Sequence, residues 1–447
     1  MIAAVIAVAY ILFKRSQLLS QLSLKDKISH LESSLGYRKV NTNLASNRYG
    51  SWRNQRPRNE TIARIWRGIV DLELDKKYWD QWATINFSAQ YDNKKISQKL
   101  KHEMLTDFDY DVDIWSNNGL GEYLWEHILK GEVKLRPDRL YQYGEKIIRK
   151  IKYRFKGGNR LNVAFLPDTT EHIVLVLNAR DNRTAATAKD WLDGLADLEF
   201  IQNAGLVLIG DEMCDNTWLL PYLNSKNRTS LKFIYLVYDS PLVNNVNVFQ
   251  FPLGVATYRN FPLPAFPDIV VPAYRKYVCN FMGTVYANSS REKLVEILSH
   301  IQEKAGRQLC YIKTRQDWKS HETPQSLSDY VSVLKSSDLT LCPVGLNSES
   351  YRIYEALSVG SLPVVEDRVV TDSCAETPFR LLKVHKAPVI YIKDWSELAV
   401  ILEKELQISE DSRRARRADI VSWYERFRQT LSDQFTQTVS SKFFDMK

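Results

Sequence analysis

A hydroxyl, a cation and a carboxylate follow one another at helical spacing late in this 447-residue chain. Ser348, Arg352 and Glu355 fall at i, i+4 and i+7, which predicts one polar helix face between apolar strands at 339–342 and 362–365. A loop that opens onto a helix N-terminus presents free N–H groups to an anion, and an Arg one turn later adds a fork for phosphate oxygens. A Glu on the next turn can accept hydrogen bonds from a ribose diol. The spacing therefore predicts a site for a nucleotide diphosphate.

An ordinary βαβ unit with an exposed Arg–Glu pair is the alternative interpretation, because i,i+3 pairs are common on helix surfaces. An upstream unit bears on the choice. There an apolar strand at 277–281 ends in Gly283-Thr284, and a helix begins near Ser290. A glycine at a strand end lets the backbone approach a phosphate, although a lone glycine more often marks only a turn. Gly283 therefore supports an anion site only in combination with Arg352.

The same residues resemble the donor-binding half of exostosin-like glycosyltransferases. The resemblance is carried by Cys342-Pro343-x-Gly345, Ser350-x-Arg352-x-Tyr354-Glu355-Ala356, Gly360 and Pro363-Val364-Val365. It implies a donor site for the UDP part of a sugar nucleotide, formed by Gly283, Thr284, Gly345, Ser350, Arg352 and Glu355. It also implies a GT-B-like fold, with two Rossmann-type domains that face a cleft.

Longer strings within residues 115–435 resemble one xylosyltransferase family of the secretory pathway. They lie at 123–128, 214–216, 238–241, 251–262 and 337–367. This resemblance implies a Golgi type II membrane enzyme that moves xylose from UDP-xylose onto ribitol phosphate of the alpha-dystroglycan O-mannosyl glycan. Its implied partners are that glycan, the Golgi membrane and other glycosyltransferases of the pathway. The alternatives are another UDP-sugar donor, or a membrane-tethered scaffold or sugar-binding module without catalysis.

Strand and helix patterns alternate from about residue 161, with apolar runs at 173–177, 206–209 and 233–237. This alternation predicts an α/β protein with a parallel, doubly wound sheet. The predicted organisation is a signal anchor at 1–13, a stem with a short coiled coil at 14–75, an acceptor-side domain at 76–265, a UDP-sugar-binding domain at 266–395 and closing helices at 396–447.

Carboxylates that follow such strands are candidates for the catalytic base, because active groups lie just past the strand C-termini. Transfer with inversion requires a base to take the proton of the acceptor hydroxyl. Glu212 and Asp239 both follow apolar strands, although Ser240-Pro241 could make Asp239 a turn former instead. His127 is predicted to be a packed helix residue. Arg259, in a string that resembles the family, is the candidate fork for the acceptor phosphate.

The net charge of +8 is concentrated in residues 134–160, where ten Lys/Arg meet two acids. This segment is predicted to be a basic amphipathic helix that is solvated, lies on a membrane or favours an anionic substrate. No zinc-finger spacing or RNA-recognition motif supports nucleic-acid binding.

Four acids, Asp107, Asp109, Asp111 and Asp113, form overlapping DxD sequences, a metal–diphosphate signature. They are predicted to be solvated acids in a turn-rich stretch. The site around Arg352 needs no metal, because Arg and a helix terminus can neutralise a diphosphate.

Three features of the sequence favour luminal placement. The first thirteen residues carry no charge, which is typical of a signal-peptide core or a short signal anchor. Five cysteines without a CxxC pair permit one or two disulfides and argue against structural zinc. The candidate glycosylation sequons start at Asn59, Asn86, Asn182, Asn227 and Asn288.

Overall fold

A computed structural model describes residues 108–135, 141–223, 230–262, 274–317, 319, 321–371, 374 and 378–446. These residues all lie within one compact unit that extends from Tyr91 to Lys447. The predicted anchor and stem, Asp107, and the sequons at Asn59, Asn86 and Asn227 lie outside the described residues. Within the described ranges, no helix has both the length and the apolar content needed to cross a membrane.

The first sheet has eight strands in the order β2-β3-β4-β1-β5-β6-β7-β8. They are β1 (Tyr110–Ser116), β2 (Lys134–Leu135), β3 (Gln142–Ile148), β4 (Ile151–Gly157), β5 (His172–Asn178), β6 (Asn203–Ile209), β7 (Leu231–Val237) and β8 (Val248–Phe251). The strands from β4 to β8 in this order pair in parallel, whereas β2, β3 and β4 pair antiparallel. The parallel strands therefore end at one common edge.

The second sheet has five strands in the order β10-β9-β11-β12-β13, and all neighbours pair in parallel. They are β9 (Tyr277–Thr284), β10 (Cys310–Arg315), β11 (Ser337–Cys342), β12 (Leu362–Glu366) and β13 (Ile390–Ile392). The prediction of an α/β protein with parallel sheets is confirmed. The strand order reverses direction between β9 and β11, which places a ligand crevice at their carboxyl ends.

Helices connect the strands and cover the sheets. They are α1 (Gly119–Glu122) continuing as a π-helix (Tyr123–Ile128), α2 (Asn182–Ala196), α3 (Leu220–Leu223), α4 (Ser290–Ala305), α5 (Pro324–Lys335), α6 (Tyr351–Ser358), α7 (Arg380–Val384), α8 (Leu398–Gln407) and α9 (Glu410–Phe444). His127 is buried in the π-helix, as predicted for a packed residue. Alternate residues of β5 face two different apolar clusters, so the first sheet is covered on both faces.

The described residues of the basic segment, 134–135 and 141–160, do not form a helix, and that prediction is wrong. It forms β2, β3 and β4, and β3 and β4 are joined by Arg149 and Lys150, which both have positive φ. Buried Ile151, Tyr153 and Phe155 alternate along β4 with more exposed basic residues. This period of two is the signature of a strand, and positive φ at both turn residues suits a tight hairpin.

The DxD acids do not lie in a turn-rich stretch, because β1 contains Asp111 and Asp113. Asp113 is buried and accepts two hydrogen bonds from Arg154, at 2.8 and 2.9 Å, and a third of 2.8 Å from Thr170 Oγ1. The prediction of solvated acids is therefore wrong for Asp113. Its carboxylate is a structural partner of a basic side chain on the neighbouring strand β4.

The last helix joins the two sheets. At 35 residues α9 is about 52 Å long, enough to cross both of them. Near its start, buried Arg417 donates to Asp338 of β11 at 2.6 and 2.8 Å. Near its end, Phe435 packs against Phe233 of β7, and Phe444 stacks on Tyr110 of β1 at 4.0 Å between ring centroids.

We predict that Asp338→Ala destabilises the protein by about 3–5 kcal/mol, because it removes the carboxylate that faces the buried Arg417 guanidinium. Urea unfolding measures the change. Asp419→Ala, on the exposed face of the same helix, is the matched control and should change the free energy of unfolding by less than about 0.5 kcal/mol. Equal effects of the two substitutions would contradict a structural role for the buried pair.

Candidate functional site

A cavity of about 310 Å³ lies between the carboxyl edges of the two sheets. Arg180, Glu212 and Tyr238 reach it from the loops after β5, β6 and β7, and the segment 253–261 lines it after β8. From the second sheet it is lined by the ends of β9 and β10 and by residues 345–352 after β11. The predicted residues Glu212, Arg259, Gly283, Thr284, Gly345, Ser350, Arg352 and Glu355 all line the cavity, whereas Asp239 does not.

Arg352 and Gly283 meet at the crevice between β9 and β11. The Arg352 Nη2 atom donates to Met282 O at 2.7 Å, and its guanidinium lies over the Phe281 ring, 5.2 Å from the centroid. A Cβ atom on Gly283 would lie 2.9 Å from Arg352 Nη2, closer than ordinary contact. The absence of a side chain at Gly283 therefore leaves the space that the guanidinium occupies.

Arg291 is a cavity residue that our sequence reasoning missed. It follows the N-cap Ser289 at the start of α4, and its Nη1 donates to Thr284 O at 3.0 Å. A Cβ atom on Gly345 would lie 2.9 Å from Arg291 Nη2, so a second glycine makes room for a second guanidinium. Burial, with the charge of Arg352, lowers the pKa of Arg291 to about 10. The signal in the sequence was a cation in the first turn of the helix that follows the glycine-containing strand β9.

These two guanidiniums keep unsatisfied positive charge in the cavity. Within the described part of the chain, neither Arg291 nor Arg352 has a carboxylate within 4.0 Å, and the Nε atoms of both are buried without a hydrogen-bond partner. Arg180 and Arg259, in contrast, are paired with Glu212 and Glu322 at 3.2 and 3.8 Å. Adjacent like charges are stabilised by an anion between them, and this pair lies beside the reversal of strand order between β9 and β11.

Glu355 is buried on α6 and already has two partners. Its Oε1 accepts from Ala256 N at 3.2 Å, and its Oε2 accepts from Tyr330 Oη at 2.6 Å. Burial raises the pKa of this carboxyl, and these two hydrogen bonds oppose the shift. Each carboxylate oxygen can accept a second hydrogen bond, so the predicted contact with ribose hydroxyls is compatible with both partners.

The predicted position of Ser348 on the helix face is wrong, because α6 starts only at Tyr351. The Ser348 hydroxyl instead donates to Arg368 O at 2.5 Å in the preceding loop. Ser350 is the N-cap residue, but its side chain makes no capping hydrogen bond. Its hydroxyl oxygen is buried at the cavity without a partner among the described residues. Ser350 therefore replaces Ser348 as the hydroxyl available to a ligand.

Glu212 lies in the cavity next to a cation and a hydroxyl. Its Oε1 accepts from Tyr238 Oη at 3.2 Å and lies 3.2 Å from Arg180 Nε. Tyr238 is buried with a φ of 67°, an unusual conformation for a non-glycine residue. Arg180 also donates to Tyr351 Oη at 3.1 Å. Packing thus holds a strained tyrosine whose hydroxyl orients the Glu212 carboxylate.

Asp239 follows β7 beside the cavity wall. Its Oδ1 accepts from Arg380 Nη2 and from Ser240 N at 2.9 Å. Its Oδ2 is buried and has no hydrogen-bond partner within the described residues. Burial raises the pKa of Asp239, and the charge of Arg380 opposes this shift. A buried carboxylate oxygen without a partner is a free acceptor for a hydroxyl.

Arg259 lines the cavity from the segment that follows β8. Its Nη2 donates to Lys319 O at 2.8 Å, and its Nη1 lies 3.8 Å from Glu322 Oε1. The same carboxylate oxygen accepts from Arg315 Nη1 at 2.9 Å. Arg259, after β8, and Arg315, on β10, thus share one carboxylate, and the predicted phosphate contact would compete with Glu322 for Arg259.

Glu349 is a second residue that sequence reasoning missed. It lines the cavity just before α6, and its Oε1 accepts from Leu253 N at 2.9 Å and from Tyr354 Oη at 2.5 Å. Burial raises its pKa to about 7, and the nearby charge of Asp239 adds to that effect. No sequence motif marks it, because its partner Leu253 is close only in the folded chain.

The fold and site together define a class: an α/β protein with parallel sheets and an arginine-lined cavity between two sheet edges. Family models match nearly all of the described chain. The RXYLT1 N-terminal domain matches residues 112–252, and the RXYLT1 C-terminal domain matches residues 258–444.

Three curated relatives share the name ribitol-5-phosphate xylosyltransferase 1. The zebrafish (Danio rerio) protein is 43% identical over 85% of this chain and 90% of its own. The Homo sapiens protein is 38% identical over 85% of this chain and 88% of its own length. The Mus musculus protein is 36% identical over 88% of this chain and 90% of its own length. The chain is therefore a glycosyltransferase. More narrowly, it belongs to the ribitol-5-phosphate xylosyltransferase 1 family, which confirms the resemblance seen in the sequence.

Among solved structures, the glycotransferase of kitacinnamycin covers 74% of this chain and 99% of its own at 8% identity. Its TM-score of 0.33 is too low to support a conclusion about the fold of this chain.

We predict that Glu349 makes stability depend on pH. The raised pKa in the folded state means that the folded protein binds a proton on Glu349 more tightly than the unfolded chain does. The contribution of Glu349 to the free energy of unfolding is therefore greatest below pH 4.5 and is lost as the pH rises through about 7. Between pH 5 and pH 8 the free energy of unfolding should fall by about 2 kcal/mol more in the native protein than in Glu349→Gln. Urea unfolding at both pH values measures this difference, and Glu296→Gln, at an exposed position of α4, is the control. Parallel profiles for native protein and Glu349→Gln would contradict the assignment.

Proposed function

We propose that this protein transfers xylose from UDP-xylose to ribitol 5-phosphate on the O-mannosyl glycan of alpha-dystroglycan. The name that the relatives share supports the sugar and the acceptor. The observation that carries the proposal is the pair Arg291 and Arg352, two guanidiniums that have no carboxylate partner among the described residues and that each lie against a glycine at the reversal of strand order. A sugar nucleotide supplies the dianionic group that this pair lacks. A non-catalytic scaffold and a different donor sugar are less favoured, since the relatives are named xylosyltransferases.

The donor diphosphate binds between Arg291 and Arg352, against Gly283, Thr284 and the loop at Gly345. Both guanidiniums supply hydrogen-bond donors and positive charge as the diphosphate departs, which stabilises the leaving group in the transition state. This arrangement does not require a divalent metal for charge neutralisation. Glu355 binds the ribose, and Ser350 offers its free hydroxyl to the donor.

The reaction inverts the configuration of the xylose anomeric carbon. An acceptor hydroxyl oxygen forms the new bond to that carbon while the bond to the diphosphate oxygen breaks, and a carboxylate takes the hydroxyl proton. Glu212 and Asp239 are the candidates for the base. Glu212 is supported by its place in the cavity. Asp239 is supported by its partner-free Oδ2 and by its raised pKa, because a carboxyl of raised pKa is the stronger base.

The acceptor approaches from the first sheet, where Arg259 binds its phosphate. Two facing sheets with the donor on the second support a GT-B-like arrangement, with an acceptor-side domain at 76–265, a donor domain at 266–395 and closing helices at 396–447. Other glycosyltransferases of the same pathway would supply the ribitol-bearing glycan.

The enzyme acts in the Golgi lumen, as a type II membrane protein anchored by residues 1–13. Two disulfides, Cys214–Cys374 and Cys279–Cys310, support an oxidising compartment. Two candidate sequons in the described residues, at Asn182 and Asn288, have exposed asparagines that an attached glycan could extend from.

We predict that Arg352→Ala lowers kcat/KM for UDP-xylose by about 30- to 1,000-fold, equivalent to about 2–4 kcal/mol of lost contact with the departing diphosphate. Arg291→Ala should act in the same direction. Calorimetry with UDP and initial-rate kinetics measure both effects. Arg307→Ala removes an exposed guanidinium beyond α4 and serves as the control. Native UDP affinity and turnover in Arg352→Ala would exclude the proposed donor site.

We predict that one of Glu212→Gln and Asp239→Asn abolishes transfer while it keeps UDP affinity, because a positioned base contributes about 10²- to 10⁴-fold to the rate. Single-turnover kinetics with a ribitol-phosphate acceptor identify which of the two variants has lost the base. The variant that retains more than about a tenth of native turnover is excluded as the base. If both do so, neither carboxylate takes the proton.

A further inference from the structure

The loops after four successive strands of the first sheet, two of which carry the candidate bases, are hydrogen-bonded to segments that follow strands of the second sheet. The bonds join Arg180 to Tyr351 after β5, Asn347 to Glu212 O after β6, Arg380 to Asp239 after β7 and Glu349 to Leu253 N after β8. The carboxyl edge of the first sheet is therefore fixed by the opposite sheet and not only by its own strands.

The loop after β6 has the strongest of these attachments. Cys214 forms a disulfide with Cys374, across 160 residues of sequence, and Asn347 Nδ2 donates to Glu212 O at 2.8 Å. Thr371 Oγ1 donates to Met213 O at 3.1 Å. Three consecutive residues, 212–214, are thus held by segments that follow β11 and β12. Asn347 belongs to the same short loop as Gly345 and Ser350 of the donor site.

The other candidate base is held from the same side. Arg380, at the start of α7, donates from Nη2 to Asp239 Oδ1 and, at 3.3 Å, to Ser240 O. Residues that follow β12 therefore contact both carboxylate-bearing loops: Thr371 and Cys374 contact one, and Arg380 contacts the other. Tyr238, one residue before Asp239, donates to the Glu212 side chain and links the two loops.

We propose that the Cys214–Cys374 disulfide is a positioning element for catalysis. It fixes the base-bearing edge of the first sheet at a constant distance from the donor-binding loop, so that the acceptor oxygen and the anomeric carbon meet in the reactive geometry. The disulfide contacts neither substrate and acts through the 212–214 loop. This inference rests on the proposed function, and it holds with either Glu212 or Asp239 as the base.

The second disulfide provides a matched control. Cys279 and Cys310 lie opposite each other on the adjacent strands β9 and β10, both fully buried. This bond stays within one sheet, and it does not connect the two edges of the cavity. Loss of either disulfide lowers stability, but only loss of Cys214–Cys374 releases the base-bearing edge.

The test compares Cys214→Ala/Cys374→Ala with Cys279→Ala/Cys310→Ala in the full chain. Melting temperature, the UDP dissociation constant and kcat with UDP-xylose and a ribitol-phosphate acceptor are measured for each. The first variant should keep the UDP dissociation constant within about threefold and lose roughly 10- to 100-fold in kcat, since a shift of about 1 Å in reacting groups has effects of that size. The control should keep kcat within about threefold while its melting temperature falls.

A folded Cys214→Ala/Cys374→Ala variant with native kcat would overturn the proposal, as would an equal loss of kcat in the control. If the first variant does not fold, Cys374→Ser opens the same disulfide and leaves the buried Cys214 thiol in place. A loss of kcat of about fivefold or more in this variant supports the proposal, and native kcat rejects it. Failure of the native protein to bind UDP or transfer xylose would instead reject the proposed function.

Discussion

Parallel strands deliver every following loop to the same edge of a sheet, and this constraint organises the whole site. Two such edges face each other here, so charged side chains from distant parts of the chain meet in one cavity. Polar groups buried in this way need partners, and the opposite edge supplies many of them: Leu253 N and Ala256 N are bonded by Glu349 and Glu355. The bonds that satisfy buried polar groups therefore also set the width of the cavity.

Charge pairing within the cavity determines where an anion can bind. The lining contains six Arg or Lys side chains and four Glu side chains. Glu212 is paired with Arg180, and Glu322 is paired with Arg259 and Arg315. Among the described residues, the guanidiniums beside Gly283 and Gly345 have no such carboxylate, so the excess positive charge of the cavity is localised at the second sheet.

Sequence patterns revealed what short-range periodicity and strand ends encode. The strands around 173–177, 206–209, 233–237 and 339–342 were predictable, and so was the approach of Gly283 to Arg352. The helix predicted at 134–160 was wrong because the spacing of the apolar residues was read as helical. In β4 buried and more exposed residues alternate with a period of two, and the high basic content obscured that alternation. Arg291 could have been identified from the sequence but was not predicted. Glu349 could not have been identified from the sequence, since its raised pKa depends on burial against a segment nearly a hundred residues away.

The packing of α9 has a consequence for the order in which the protein is made. Phe435 and Phe443 cover Phe233 of β7, and Phe444 covers Tyr110 of β1, although β1 and β7 leave the ribosome long before α9 is synthesised. The face of the first sheet that α9 covers therefore cannot be buried until α9 has been synthesised. Synthesis of α9, rather than synthesis of the strands, sets the moment at which this half of the enzyme can become native.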